Sequence, residues 1–330
     1  EPSLHLEYQE TFAFLKQAAK EGYFEELIRK YLLDNPFEAV ITLLPEKNLT
    51  AKEDQALAEK LKAYKASLSH EQVLAIKEQT KALREYQETP SSQEDLQKIP
   101  LLKREDIRQE PEKLNWMLKR ELGIPVVHTP VFTAGIGYIT LLFDTKGIPQ
   151  EDLPYVGLLK SVLGYVDTEN YRYGDLTSEI YLNSGGVDFS VTSYGKLEKP
   201  GEFTGVFVAK AKVLYEKLDF AFGILAEILT RSKFDDAKRL GEILAENKSR
   251  ARMRLESASH SAAVARATSY FSPAAAFNDV TGGIGYYHFL EKICGDAQKP
   301  EAMARLLEKL REVSRRLFVR NRLLLGFTAD

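Results

Sequence analysis

Apolar residues recur at helical spacing over most of this chain and alternate at strand spacing in a few short runs. Phe12, Leu15, Ala19, Phe24, Leu27 and Tyr31 mark a helix over residues 7–33, which Asp34-Asn35-Pro36 breaks, and Ala39 to Leu44 (AVITLL) reads as a strand. From Thr50 to Glu88 the composition turns to Lys, Glu, Gln and Ala. Leu57, Leu61, Tyr64 and Leu68 form one stripe, and Val73, Ile76, Leu83 and Tyr86 a second. Ser69 and Gln72 make a capping-box pattern that starts a second helix directly after the first, so the two are expected to fold back as an antiparallel hairpin. Ser91 to Pro111 reads as an extended connector.

The pattern becomes denser after Gly123. Strands are expected at Pro125 to Thr133 and Gly135 to Asp144, then a turn at Lys146-Gly147 and two helices, then strands at Val187 to Tyr194 and Phe203 to Lys210. Val187, Phe189 and Val191 alternate with Asp188, Ser190 and Thr192, so one face of that strand is buried and the other wet. Helical patterns follow at 214–232, 235–257, 259–270, 285–294 and 300–318, and Arg322 to Thr328 closes as a strand. The expected fold class is α+β, an antiparallel sheet backed by helices, preceded by a helical hairpin linker and the tail of another α+β domain. The expected division is 1–48, 49–122 and 123–330. One or two helices and a single strand cannot enclose a core, so both ends read as cuts through a longer protein.

Composition narrows the partners. The chain has 330 residues, 45 basic against 48 acidic, a balance too even for a nucleic-acid footprint or an anionic-membrane partner. No apolar run approaches membrane-spanning length, and no signal peptide opens the chain. The one cysteine, Cys294, excludes an intrachain disulfide framework and has no histidine motif beside it. The arginine-rich stretch Lys248 to Arg254 lies inside a helical pattern and reads as a solvated or ion-paired face. No glycine-rich loop has dinucleotide or phosphate spacing.

The run from Gly135 to Tyr194, with Gly147-Ile148-Pro149 before its first helix, and LQKIPLLKREDI at residues 96–107 resemble the pitrilysin/insulinase-type zinc metallopeptidases, in their presequence-protease branch. In that family's catalytic domain an HxxEH sequence opens the corresponding helix. Two imidazoles at i and i+4 hold zinc and the glutamate polarises the attacking water. Here the same place holds Gln150-Glu151-Asp152-Leu153-Pro154. A neutral amide is a poor zinc ligand and proline offers none. The five histidines, His5, His70, His128, His260 and His288, are widely scattered. No catalytic and no metal-binding residue is assigned, and substrate-binding residues are unknown. Glu151 and Asp152 read as first-turn acids that complement the helix dipole.

Asp279 to Tyr286 (DVTGGIGY) loosely resembles the family's late motif, in which an arginine precedes Gly-Gly and a tyrosine follows. Asp279 stands at the arginine's place, so a helix stop with a turn is the expectation. Tyr165, Tyr171, Tyr173 and Tyr181 cluster around the two helices, where packing is the default reading.

The resemblance implies an internal portion of a zinc metallopeptidase that degrades short unfolded peptides in a closed chamber. This portion, the end of the second domain, the linker hairpin and the third domain, would supply hinge and chamber wall. Zinc would belong to the parent protein, with none bound by this chain. The partners would be the remaining domains of the same polypeptide and peptide substrates, with no nucleic acid and no membrane. The compartment would be cytoplasmic in a bacterium and the mitochondrial or plastid matrix in a eukaryote. The alternative is a non-catalytic structural or substrate-binding subunit related to processing peptidases.

Overall fold

The computed structural model describes residues 6–108, 110, 113–199 and 201–330. His5 and the end of the expected connector at Pro111 lie outside the described residues. The chain divides into two units, Glu1–Ile107 and Arg108–Asp330, each taken by itself below.

In the first unit the apolar periodicity of residues 7–33 becomes two helices, α1 (Gln9–Ala18) and α2 (Tyr23–Ile28), followed by a wider helical turn at Arg29–Leu33. Gly22, at φ 79°, separates them in a conformation that a side chain disfavours. The strand expected at Ala39 to Leu44 does not form: the segment has no regular structure, and Val40 and Leu43 are 90% and 88% exposed. A lone strand leaves its N–H and C=O groups unpaired, and no ladder partner for it exists among the described residues.

Two helices, α3 (Leu49–Ser67) and α4 (His70–Glu88), follow where expected. The capping box between them is present: Gln72 N donates to Ser69 Oγ at 3.2 Å and Ser69 N donates to Gln72 Oε1 at 2.8 Å. Their apolar stripes do not close on each other as a packed hairpin would require. Leu57, Leu61, Ile76, Leu83 and Tyr86 are all exposed, Tyr86 by 82%. The stripes are interrupted by Lys, Glu and Gln too often to bury enough apolar area to offset the ordering they would demand. The connector is likewise not uniformly extended. Ser92 Oγ accepts from Asp95 N at 3.1 Å and starts the short helix α5 (Gln93–Lys98), a capping signal the extended reading overlooked.

The second unit is a six-stranded sheet backed on one face by helices. Its strands are β1 (Met117–Glu121), β2 (Ile124–Pro130), β3 (Ile136–Asp144), β4 (Val187–Gly195), β5 (Phe203–Leu214) and β6 (Leu323–Ala329), in the order β1-β2-β6-β3-β5-β4. The class is α+β, as expected. Four ladders are antiparallel, whereas β2 and β6 run parallel, because β6 arrives from the far end of the chain to fill the gap between β2 and β3. Strand β1 lies upstream of the expected start of this domain at residue 123. Leu122 and Gly123, at φ 51° and 81°, form the two-residue turn that joins it to β2.

The inner face of the sheet carries Ile139, Leu141, Phe143, Phe207, Ala209, Ala211 and Val213, all buried. The helices are α6 (Leu153–Val162), α7 (Tyr173–Asn183), α8 (Leu218–Arg231), α9 (Ala237–Ser257), α10 (Ser259–Thr268), α11 (Pro273–Gly282), α12 (Ile284–Asp296) and α13 (Pro300–Leu317). Helix α13 shows how sequence dictates seating. Met303, Leu306, Leu307, Leu310, Val313 and Leu317 fall on one stripe and are buried, while Arg and Glu occupy the opposite side.

Proteolysis should read the difference between the units. Ile99, Leu101, Leu102 and Ile107 are exposed in a segment with little regular structure, so limited digestion should cut first between Glu88 and Arg108. A stable fragment beginning near Leu114 is expected by mass spectrometry. First cuts inside Gly135 to Tyr194 would contradict the assignment.

Candidate functional site

The turn Thr145–Pro149 leads β3 into α6 and sets the first landmark. Gly147 takes φ 85°, Lys146 N donates to Asp144 Oδ1 at 2.7 Å, and the Arg322 guanidinium donates to Lys146 O. A short 3-10 turn, Gln150–Asp152, then feeds α6, with Pro154 in its first turn, where a missing N–H costs nothing. Gln150 and Leu153 border a cleft of about 770 Å3 with Lys196, Phe203 and Phe277.

Donor chemistry at this place does not fit zinc. Gln150 offers an amide and Pro154 nothing. Of its two acids, Glu151 is exposed, and Asp152 is 4% exposed and held by Lys309 Nζ at 3.1 Å. Asp152 therefore does more than complement a dipole: it anchors α13 to the mouth of α6. The hydrogen bonds of Glu312 and Asp152 raise the Lys309 ammonium above its usual range. Among the described residues no three His, Cys, Asp or Glu side chains gather as a metal would need.

The second landmark is the α11–α12 joint. Asp279, in the last turn of α11, is buried, pairs with the Arg266 guanidinium of α10 and accepts from Gly285 N at 3.2 Å. Gly283 separates the helices, as the helix-stop reading expects. Tyr286 is 1% exposed, and Asn247 Nδ2 donates to its hydroxyl at 2.9 Å. Burial pushes the Tyr286 phenol up to about 12, so it stays neutral and enclosed. The arrangement fastens four helices, α9 to α12.

Lys160, on the last turn of α6, carried no signal in sequence beyond one cation in an apolar helix. Its Nζ donates to Thr281 O at 2.9 Å and lies 5.3 Å from the centre of the Tyr286 ring. Burial, with a contribution from Arg254, lowers this ammonium to about 8. The tyrosines divide. Tyr171 packs against the core, Tyr173 carries the Arg239 guanidinium at 4.3 Å over its ring, and Tyr165 and Tyr181 are exposed beside a cleft of about 240 Å3 that Lys160 also borders.

Glu227, another residue sequence reading passed over, is a buried carboxylate on α8. It accepts from Asn170 N and Asn170 Nδ2, both at 2.9 Å, and from Arg231 Nη1 at 3.2 Å. Burial pushes its carboxyl up, but the donors on Asn170 and Thr168 together with Arg231 outweigh that and hold it below its ordinary 4.5. A depressed carboxyl contributes stability above its unfolded value and loses it as pH falls through the folded one. Glu227→Gln should therefore lower the unfolding free energy from urea titration at pH 7, by about 1–3 kcal/mol, and the gap to the native chain should close as pH falls below the ordinary carboxyl value of 4.5 and through the folded one. A gap unchanged by acid would assign the loss to packing.

A sequence profile that describes the associated domain of peptidase family M16, subfamily C, matches residues 43–293. The chain is 31% identical over 99% of its length to "Protein HypA" of Clostridium perfringens, 30% identical over 90% to "Presequence protease, mitochondrial" of Yarrowia lipolytica, and 26% identical over 100% to "Presequence protease 1, chloroplastic/mitochondrial" of Arabidopsis thaliana. It covers 33%, 29% and 31% of those proteins, about a third of the length of the curated relatives it matches.

Proposed function

The chain belongs to the associated-domain family of the pitrilysin-type peptidases, family M16, subfamily C, and on that premise we propose that it is a non-catalytic portion of a zinc metallopeptidase degrading short unfolded peptides. It contributes a hinge and a chamber wall, while zinc and the groups that cleave the peptide lie elsewhere in a longer polypeptide. The observation that carries the reading is the mouth of α6. By the resemblance, the start of α6 corresponds to the helix on which this family's catalytic domain holds its metal, and here it carries Gln150, an exposed glutamate, an aspartate paired with Lys309 and a proline.

Such a wall acts by enclosure. A sheet backed by a dense helical layer excludes bulk water and folded proteins from a reaction carried out by other residues. The charged helices α3 and α4, whose stripes are exposed except at the half-buried Leu68 and Val73, are suited to a segment whose neighbours change during closure. Since the relatives include mitochondrial and chloroplastic presequence proteases as well as a bacterial protein, the compartment would follow the source: cytoplasmic in a bacterium, matrix in a eukaryote. Among the described residues no helix is long and apolar enough to cross a membrane.

Shortening α3 and α4 by two turns each in the longer polypeptide tests the role. Zinc content should be unchanged and peptide turnover should fall. Unchanged turnover would make the helices a passive spacer, and lost zinc would place this segment in the metal site and overturn the reading.

A further inference from the structure

Lys160 is half-buried, and its Nζ is held at the end of α11, donating to Thr281 O at 2.9 Å and lying 5.3 Å from the centre of the Tyr286 ring. A β-carbon at Gly282 would stand 3.3 Å from the same nitrogen, which puts the ammonium directly against that turn. The cleft of about 240 Å3 that Lys160 borders opens past Tyr165, Tyr181 and Asp188. Arg254, on α9, is exposed and borders a second cleft, of about 560 Å3, whose wall includes Thr281 and Gly282. Both cations therefore meet the same turn of α11.

Neither cation has an acid. Among the described residues, no carboxylate lies within ion-pair distance of Lys160 or Arg254. Asp188 borders the Lys160 cleft from β4 beyond that distance, Asp279 on α11 is engaged by Arg266, and Tyr286 on α12 stays neutral. Burial, with Arg254 adding its repulsion, lowers the Lys160 ammonium to about 8. At pH 8 about half of this amine is uncharged, against less than about 1% of a lysine at its ordinary value. An uncharged amine has a lone pair to react with, and this one stands beside a cation that lacks a counter-charge.

We propose that Lys160 is a carbon dioxide site, taking up CO2 as a carbamate whose negative charge is balanced by Arg254. The nitrogen lone pair attacks the carbon of CO2, a C–N bond forms, one C=O π pair moves onto oxygen, and one proton leaves the nitrogen for solvent. No oxidant, reductant or activated donor is needed. The product keeps one N–H, enough to retain the bond to Thr281 O. It also replaces a repelling pair between α6 and α9 by an attracting one, and a hydrogen bond from a guanidinium to an anionic oxygen is roughly twice as strong as a neutral one. CO2 is small and apolar, which suits a half-buried amine.

The native 330-residue chain, incubated with isotopically labelled bicarbonate at pH 8 and trapped with an alkyl oxonium reagent that esterifies carbamates, tests this by peptide mapping, and it requires neither zinc nor turnover. Label should concentrate on the peptide that carries Lys160, at about tenfold or more the level of any other lysine. Mapping separates it from the α-amino group, whose ordinary value near about 8 makes it the other amine open to CO2. Label at Lys160 should fall as pH drops from 8 to 6, because protonation removes the lone pair. Arg254→Gln, at an exposed position, should lower it about tenfold. Lys160→Arg should remove it and leave label elsewhere unchanged. No label at Lys160 in the native chain, label spread evenly over the lysines, or an unchanged level in Arg254→Gln would each overturn the proposal.

Discussion

Gly157→Val should leave the second unit unfolded, and Gly157→Ala should destabilise it by about 3 kcal/mol. Gly157 lies on α6 where that helix crosses α11. A β-carbon there would stand 2.5 Å from the Thr281 carbonyl oxygen and 3.0 Å from its carbonyl carbon. These are backbone atoms, so no rotamer change relieves the clash. Separating the helices would break the Lys160 bond to Thr281 O and open the core around Val156, Leu158 and Leu159. Thermal unfolding followed by circular dichroism checks this. A Gly157→Ala protein with native stability would mean that the two helices do not cross as closely as described.

The second large effect is expected at Asp279. Replacing it with alanine removes the acceptor for Arg266 and for Gly285 N and should cost about 3 kcal/mol. Asp279→Arg should be worse, because two guanidiniums would then meet where Gly283 and Gly285 already crowd the side chain. The substitution also separates two views of this segment. If Asp279 to Tyr286 were a degenerate substrate-holding motif, arginine at its head would restore a function. If it is the helix-fastening joint described above, Asp279→Arg should yield insoluble or unfolded protein. Soluble expression and near-ultraviolet circular dichroism distinguish the two.

Much of the sheet was legible because alternation and β-branched content agree locally with the tertiary result. The pattern Val187, Phe189, Val191 against Asp188, Ser190, Thr192 is read directly and β4 forms there, but its burial does not alternate as expected: Ser190 and Thr192 are half-buried like Phe189 and Val191, and of the polar set only Asp188 is exposed. What could not be read has identifiable causes. The residues of β1, Met117–Glu121, lack alternation because all five are exposed; only their pairing with β2 makes them a strand. The parallel β2–β6 ladder joins residues about two hundred positions apart, and no local pattern specifies such a partner. Helix α11 was missed because Pro273-Ala274-Ala275-Ala276 carries no apolar stripe. Ser272 caps it through Ala275 N, and packing against α6 completes it.

The candidate site was legible mainly as a substitution pattern. That Gln150 and Pro154 cannot hold zinc follows from their chemistry alone, whereas the Asp152–Lys309 pair joins residues 157 positions apart and required the fold. Lys160 and Glu227 went unnoticed for a related reason. A single charge within an apolar helix has the same appearance in sequence whether it reaches solvent or is buried, and only the neighbours contributed by α11, α12 and the segment around Asn170 decide between them.

Metal content and peptide cleavage, measured on one preparation of the whole chain, test the central claim most directly. Elemental analysis after dialysis against zinc, together with a quenched fluorogenic peptide, should give no stoichiometric zinc and no chelator-sensitive turnover, because no imidazole pair stands at the mouth of α6. About one zinc per chain with turnover abolished by a chelator would contradict the account.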